Sequence, residues 1–280
     1  MTDDDIDAVI QLAGATFNDL MQRLGKRPED HPRTTLFQQV RHRHLNATDP
    51  ESQWVAEDGD GTLAGAACAL RREGFWGLSL LVVRPDAQDR GLGRRLLDQA
   101  LESARGADGA IIISSPDPRA IRRYASAGFA LWPTMGASGV VRRERLADPV
   151  EVREGDANDF AHTESVDREV RGTPHGRDIP AMLEGGMRLA VSDLGYTVFG
   201  ENRVVTVAAR TREAATELLS AALIGLPQDS EVRVNWITGA QQWALEVVLA
   251  AGMDLRPEGP ICTRGRLGPL TPYLPSGAYL

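Results

Sequence analysis

Apolar residues recur at helical spacing through Ile6, Val9, Ile10, Ala13, Phe17, Leu20, Met21 and Leu24, which predicts an amphipathic helix over residues 5–24. Leu36, Phe37, Val40 and His44 repeat the spacing in a shorter second helix. The period then changes. Gln53 to Glu57 and Leu63 to Leu70 read as strands joined through Asp58-Gly59-Asp60-Gly61, a strong hairpin signal. Phe75 to Val83 is a third strand, rich in leucine and valine. From about Gly91 a helix carries Leu92, Leu96, Leu97, Ala100, Leu101 and Ala104 on one face, and Ile111 to Ile113 follows as a short buried strand. Asp117-Pro118 opens another helix, as N-cap and first helical residue. This order predicts an α/β domain around a mixed sheet.

The second half reads as a worn copy of the first. Arg188 to Asp193 and Gly195 to Phe199 form a hairpin around Leu194-Gly195, and Val204 to Ala209 is a strand feeding a helix that carries Ala214, Ala215, Leu218, Leu219 and Ala222. Val232 to Ile237 is the next strand, and Ala244 through Gly252-Met253 tracks Ala120 through Gly128-Phe129 at a constant offset. An internal repeat at domain scale divides the chain into residues 1–147 and 148–280. The tail from Pro269 to Leu280 is apolar and stiffened by proline, which predicts a docked segment within reach of a cleft.

Composition narrows the function. Of 280 residues, 42% are hydrophobic and 25% charged, a globular balance. The net charge of −8 disfavours a general nucleic-acid binder, since residues 1–147 hold 19 Lys and Arg against 20 Asp and Glu and the remainder 12 against 19. No apolar run approaches the ~18 residues of a membrane span. The acidic start lacks the basic flank of a secretory signal, and Cys68 and Cys262 are too few for a disulfide framework. A cytoplasmic chain with buried thiols is expected. His42 and His44, at i and i+2 on one helix, point apart, so no metal site is expected.

The segment from Leu80 to Arg95 carries the chemistry. A buried strand runs into a loop, Gly91 and Gly93 sit at the turn, and an amphipathic helix begins at once. Glycines let a ligand approach the backbone, and the helix N-terminus adds free N–H groups and partial positive charge, a setting suited to phosphate. A dinucleotide fold wants a third glycine where Leu96 stands, and a Walker loop wants Gly-Lys-Ser/Thr, which is absent. Arg84, Arg90, Arg94, Arg95, Arg119, Arg122 and Arg123 crowd this half, either as solvated helix faces or as part of an anion site.

Gln88-Asp89-Arg90-Gly91-Leu92-Gly93 resembles the coenzyme A motif of the GNAT N-acetyltransferase superfamily, and Ala120-Ile121-Arg122-Arg123-Tyr124 through Gly128-Phe129 resembles the family's Ala-Ile-x-x-Tyr-x-x-x-Gly-Phe helix. The resemblance covers roughly residues 1–145. It implies two tandem GNAT-like domains, each a mixed, mostly antiparallel sheet flanked by helices, with acetyl-CoA as acetyl donor. Backbone groups of Leu81, Val82 and Val83 would pair with the pantetheine arm, and Gln88 with residues 89–94, including Asp89, Arg90, Gly91, Leu92, Gly93 and Arg94, would cradle the pyrophosphate. Tyr124 would protonate the departing thiolate. Asp117 stands where many members carry asparagine, at the start of the Tyr124 helix. Gly77 stands where many carry a catalytic glutamate, which leaves Glu73, a histidine, or water held by Ser79 as the base. Arg41, His42, Trp76 with Phe75, and Ser79 are candidates for the acceptor cleft, while His44 falls on the apolar stripe as a core histidine. In the second half no glycine occurs from Arg203 to Ile224 and Val248 replaces the tyrosine, so no coenzyme is expected there. The acceptor implied is a small or amino-acid-like amine, with the chain a monomer or homodimer. An acyl-CoA sensor and a transferase acting on protein N-termini or side chains are the alternatives.

Overall fold

The computed structural model describes residues 1–25 and 35–280. Its first half contains α1 (Ile6–Arg23), α2 (Leu36–Thr48), β1 (Gln53–Glu57), β2 (Leu63–Arg72), β3 (Phe75–Val83), α3 (Leu92–Glu102), β4 (Gly109–Ile113), α4 (Pro118–Ser126) and β5 (Ala130–Val140). Its second half contains β6 (Arg153–Glu154), α5 (Phe160–Val170), α6 (Asp178–Glu184), β7 (Arg188–Ser192), β8 (Gly195–Gly200), β9 (Arg203–Ala209), α7 (Arg212–Gly225), β10 (Glu231–Thr238), α8 (Gln242–Ala250), β11 (Asp254–Gly265) and β12 (Tyr273–Leu274). Local chemistry sets several ends. Thr35 and Gln38 close a reciprocal capping box on α2, at 2.9 and 3.2 Å. Asp117 caps α4 through the Arg119 N–H at 2.9 Å, with Pro118 in the first turn. No described helix is long and apolar enough to cross a membrane, and no cluster of three or more metal-ligating side chains occurs among the described residues.

The hydrophobic pattern does not predict β5 and marks β11 only as an apolar, strand-like stretch around Cys262, and these two strands decide the architecture. The twelve strands of the described residues form one sheet in the order β1-β2-β3-β4-β11-β5-β10-β9-β8-β7-β6, with β12 on β9. Among them β3–β4 and β9–β10 pair in parallel and every other neighbour is antiparallel. β11, from the second half, lies between β4 and β5, while β5 lies between β11 and β10. Each half therefore lends its last long strand to the other. The cores follow the exchange: Ile261 and Cys262 of β11 pack with first-half residues, and Ala137 of β5 packs with α7 and α8. Burying a side chain such as Ile261 contributes about 1.5–3 kcal/mol, so first-half stability depends directly on a second-half strand.

A buried ion network crosses between the halves as well. Arg72, at the end of β2, donates from Nε to Asp178 at 2.8 Å, from Nη2 to Asp178 at 2.5 Å, and from Nη1 to Asp49 at 2.8 Å. His44 completes the set, its Nε2 2.7 Å from Asp178, so it is satisfied by a carboxylate rather than by apolar packing alone. Burial opposes ionisation of Asp178, but hydrogen bonds from His44 and Arg72 together with the Arg72 charge hold its carboxyl below the ordinary aspartate range.

A carboxyl depressed in this way stabilises fully above the unfolded value of ~3.9, and that stability is lost as pH falls through its lower folded value. Asp178→Asn leaves Arg72 with Asp49 as its remaining carboxylate and should cost about 1.5–3 kcal/mol near neutral pH, the worth of hydrogen bonds to a charged group. Urea unfolding should also show a flatter acid limb for the variant. Unchanged stability at neutral pH would show that the network contributes nothing across the halves.

Candidate functional site

β3 and β4 pair only from Phe75↔Gly109 to Leu78↔Ile112, and then part. From Ser79 onward, the edge of β3 that faced β4 has no strand partner. Side chains hold the carbonyls at the two ends of this free stretch: Ser79 O accepts from Arg41 at 2.6 Å and Val83 O from Gln88 at 2.9 Å. Leu81 and Val82 lie between. The gap opens into a cleft of about 340 Å³ lined by Leu81, Val82, Val83, Gln88, Asp89, Gly91 and Gly93, with Asp117 and Arg119 opposite.

The loop into α3 is built to leave N–H groups free. Asp89 and Gly91 take left-handed φ of 62° and 79°, and no side chain caps the helix. No hydrogen bond among the described residues engages the backbone N–H of Gly91, Leu92 or Gly93. A Cβ on Gly93 would come within 2.9 Å of the Arg123 guanidinium and 3.3 Å of Val83, so glycine keeps the cleft floor open there. Together these features give a helix terminus whose free N–H groups suit an anion, at the mouth of an extended slot.

The charges at the cleft match the expected arginine cluster only in Arg119 and Arg123. Arg90, Arg94 and Arg95 are exposed and outside its lining, and Arg94 faces Asp98 at 3.5 Å. The guanidinium groups at the cleft belong to Arg23, Arg119 and Arg123. Leu92 turns into the first-half core instead. Burial works against a charged Asp117, but side-chain and backbone hydrogen bonds from Arg119 hold its carboxyl below the ordinary range.

A larger cavity of about 1060 Å³ adjoins the cleft and shares Phe17, Leu81, Ser115 and Ala120 with it. Phe17 and Met21, read from sequence as part of the core stripe of α1, line this space; Phe17 is 41% exposed. Tyr124 also lines the cavity, one turn after Ala120. Burial, with a smaller contribution from Cys262, pushes its phenol well above the ordinary tyrosine value, so it stays protonated at any ordinary pH.

Arg41, His42 and Ser79 line the larger cavity. Trp76 and Phe75 do not. Trp76 is fully buried beneath α3, its indole N–H donating to Ser103 at 2.9 Å, and Phe75 packs on the other face of the sheet under Arg171. Consecutive strand residues face opposite sides of the sheet, and here both sides are core. Glu73 is also remote as a base, since it sits in the β2–β3 turn paired with Arg168 at 2.7 Å. Burial, and then the charge of Arg41, lower the His42 pKa to about 3, so the ring remains neutral.

Much of the cavity comes from the second half; the sequence points to a docked tail near a cleft but to none of the individual second-half side chains. Arg203, Arg233, Arg256, Glu201, Glu231 and Glu258 line it, as does the tail at Ser276, Gly277 and Ala278. Glu258 of β11 accepts from the Trp236 N–H at 3.0 Å and from Arg256 at 3.2 Å. Nothing in the local sequence signals these positions, because strand exchange brings them in. The tail also fills the place left by Gly77: a Cβ there would lie 2.1 Å from Leu280 Cδ1. The Leu280 carbonyl oxygen is anchored by Arg171 at 2.8 Å and the Tyr273 hydroxyl at 3.1 Å.

The matching edge in the second half is closed. β9 and β10 pair only at Arg203↔Arg233, and beyond that point β12 bonds along β9, through Tyr273↔Ala208 and Leu274↔Val207. The helix that follows, α7, is capped by its own Thr211, which accepts from the Ala214 N–H at 3.2 Å.

Comparison with known proteins agrees with this geometry. Residues 15–129 match the sequence model of the Acetyltransferase (GNAT) family. A presumptive acetyltransferase from Pyrococcus horikoshii shares the fold over 100% of this chain and 93% of its own, with a TM-score of 0.79 at 16% identity. A GCN5-related N-acetyltransferase from Sphaerobacter thermophilus aligns over 94% of this chain and 93% of its own, with a TM-score of 0.57 at 16% identity. A tandem GNAT protein from the clavulanic acid biosynthesis pathway aligns over 92% and 96%, with a TM-score of 0.52 at 18% identity. No curated protein matches the chain in sequence.

Proposed function

From the premise that residues 15–129 form a GNAT-family acetyltransferase domain, we propose that the chain is an acetyl-CoA-dependent N-acetyltransferase with one working site, in the first half. The observation that carries this reading is the contrast between the halves. In the first, a free strand edge leads to an uncapped helix terminus; in the second, β12 occupies the edge and Thr211 caps the helix. Residues 1–147 then act as the catalytic unit, and residues 148–280 bind no coenzyme, contributing acceptor-cavity wall and tail instead.

The cleft suits coenzyme A on its own chemistry: a narrow slot for an extended arm, free N–H groups for pyrophosphate, and Arg23, Arg119 and Arg123 for further phosphate charge. The coenzyme brings a thioester carbonyl; this chain's part is to position and polarise. Backbone groups of Leu81 to Val83 orient the donor, and the N–H groups of Gly91, Leu92 and Gly93 hold the phosphates. The amine approaches from the larger cavity, where proximity supplies much of the rate. Tyr124, held protonated by burial, delivers its proton to the departing sulfur.

Deprotonation of the amine falls to the Glu258 carboxylate, already bonded to Trp236 and Arg256, because a His42 ring with its pKa lowered to about 3 is too weak a base. The tail across the cavity favours a small acceptor over a protein side chain.

Thiol release from acetyl-CoA in the presence of a panel of amines tests the activity. Gly91→Val with Gly93→Val fills the loop and should weaken coenzyme binding by about 100-fold or more, given ~1.5–3 kcal/mol per charge-assisted hydrogen bond lost. Retained affinity in a folded double variant would remove the phosphate assignment. Tyr124→Phe should lower kcat by about 100-fold, the low end for general acid catalysis, with coenzyme affinity nearly intact. Unchanged turnover would return Tyr124 to a packing role.

A further inference from the structure

The larger cavity carries four arginines against three glutamates, with its histidine, His42, neutral. Arg203 is paired with Glu201 at 3.2 Å and Arg256 with Glu258 at 3.2 Å. Among the described residues Arg41 has no carboxylate within ion-pair distance, nor any among the charges acting on it.

Arg41 is nevertheless held in place. Its Nε and Nη2 donate to Ser79 Oγ at 3.0 and 2.5 Å, and Nη2 also donates to Ser79 O at 2.6 Å. Ser79 Oγ donates in turn to Ala278 O of the tail, at 2.5 Å. Nη1 donates to nothing among the described residues. A positioned guanidinium with one free nitrogen, half-buried and without a counter-charge, is a poor stability device, because desolvating a lone cation is costly. Burial does lower the Arg41 pKa, the direction that a bound anion would reverse.

Its location adds the chemistry. Ser79 is the first residue of β3 beyond the paired stretch, two residues before Leu81, or roughly 7 Å along the strand. On the reading of this site as an acetyl-transfer centre, an anion on Arg41 lies within a few bonds of the nitrogen that attacks at Leu81. We propose that the acceptor is a small amine bearing a carboxylate, and that Arg41 Nη1 binds that carboxylate at the wall of the larger cavity. The guanidinium is fixed in advance by Ser79 and the tail, so little side-chain entropy is lost on binding.

The test uses amine pairs that differ only in the carboxylate: alanine and ethylamine, phenylalanine and phenethylamine, lysine and cadaverine. Each is titrated calorimetrically into the full-length protein, with and without saturating CoA. In at least one pair the carboxylated member should bind about 10- to 100-fold more tightly. Arg41→Met should abolish that preference, and Arg41→Lys should restore part of it. Equal binding within every pair, no binding by any carboxylated amine, or a preference that survives in Arg41→Met would overturn the proposal. The wild-type comparison decides even if a variant fails to fold. Failure of CoA itself to bind would count against the acetyl-transfer reading separately, since the amine titrations without CoA still report on Arg41.

Discussion

The parting of β3 and β4 after Leu78↔Ile112 is the constraint on which the site depends. A parallel pair that stayed in register to Val83 would have no free edge, no cleft beside Leu81 and Val82, and no path from that cleft to the larger cavity. Ser79 and Gln88 show how the open stretch is kept in shape: the Ser79 carbonyl is held by Arg41, and the Gln88 amide holds Val83. The second half meets the same constraint in the opposite way. β9 and β10 also part early, and the chain satisfies the exposed edge with its own tail strand, β12. One geometry thus gives a slot for a ligand in one half and a seat for the polypeptide in the other.

Strand exchange makes these two outcomes parts of one object. With β11 between β4 and β5, the wall opposite Ser79 is supplied by Arg256 and Glu258, and the tail that seals β9 continues past Ser276 and Ala278 to rest Leu280 against Gly77. Gly77 is where the family resemblance leads one to look for a carboxylate. The tail occupies that space, and the carboxylates of the cavity come from the other half. A side chain introduced at Gly77 would have to displace Leu280, which ties this departure from the family pattern to the docked tail.

Most of the first half was legible in the sequence, because its elements carry strong periodic signals and its loop into α3 carries glycines whose use is physical. Gly91 and Gly93 stand at the cleft, and Tyr124 lies buried at the cavity. The failures share a cause. Trp76 and Glu73 are near Gly77 in sequence, but a strand buried on both faces and a turn at its start keep them away from the cavity. Arg90 and Arg94 were placed by proximity to the glycines, yet the arginines at the cleft come from α1 and α4. Arg203, Arg256 and Glu258 carried no signal, since pairing between β5 and β11 depends on non-local register that hydrophobic period cannot encode.

On the proposed function, one groove in this chain is open to coenzyme and its counterpart is filled from within. Calorimetric titration of acetyl-CoA and CoA into the intact protein distinguishes the two grooves through the stoichiometry. One site per chain is expected for each ligand. Two sites would show that β12 yields its seat on β9 to a ligand, and no binding at all would leave the GNAT fold without the chemistry assigned to it here.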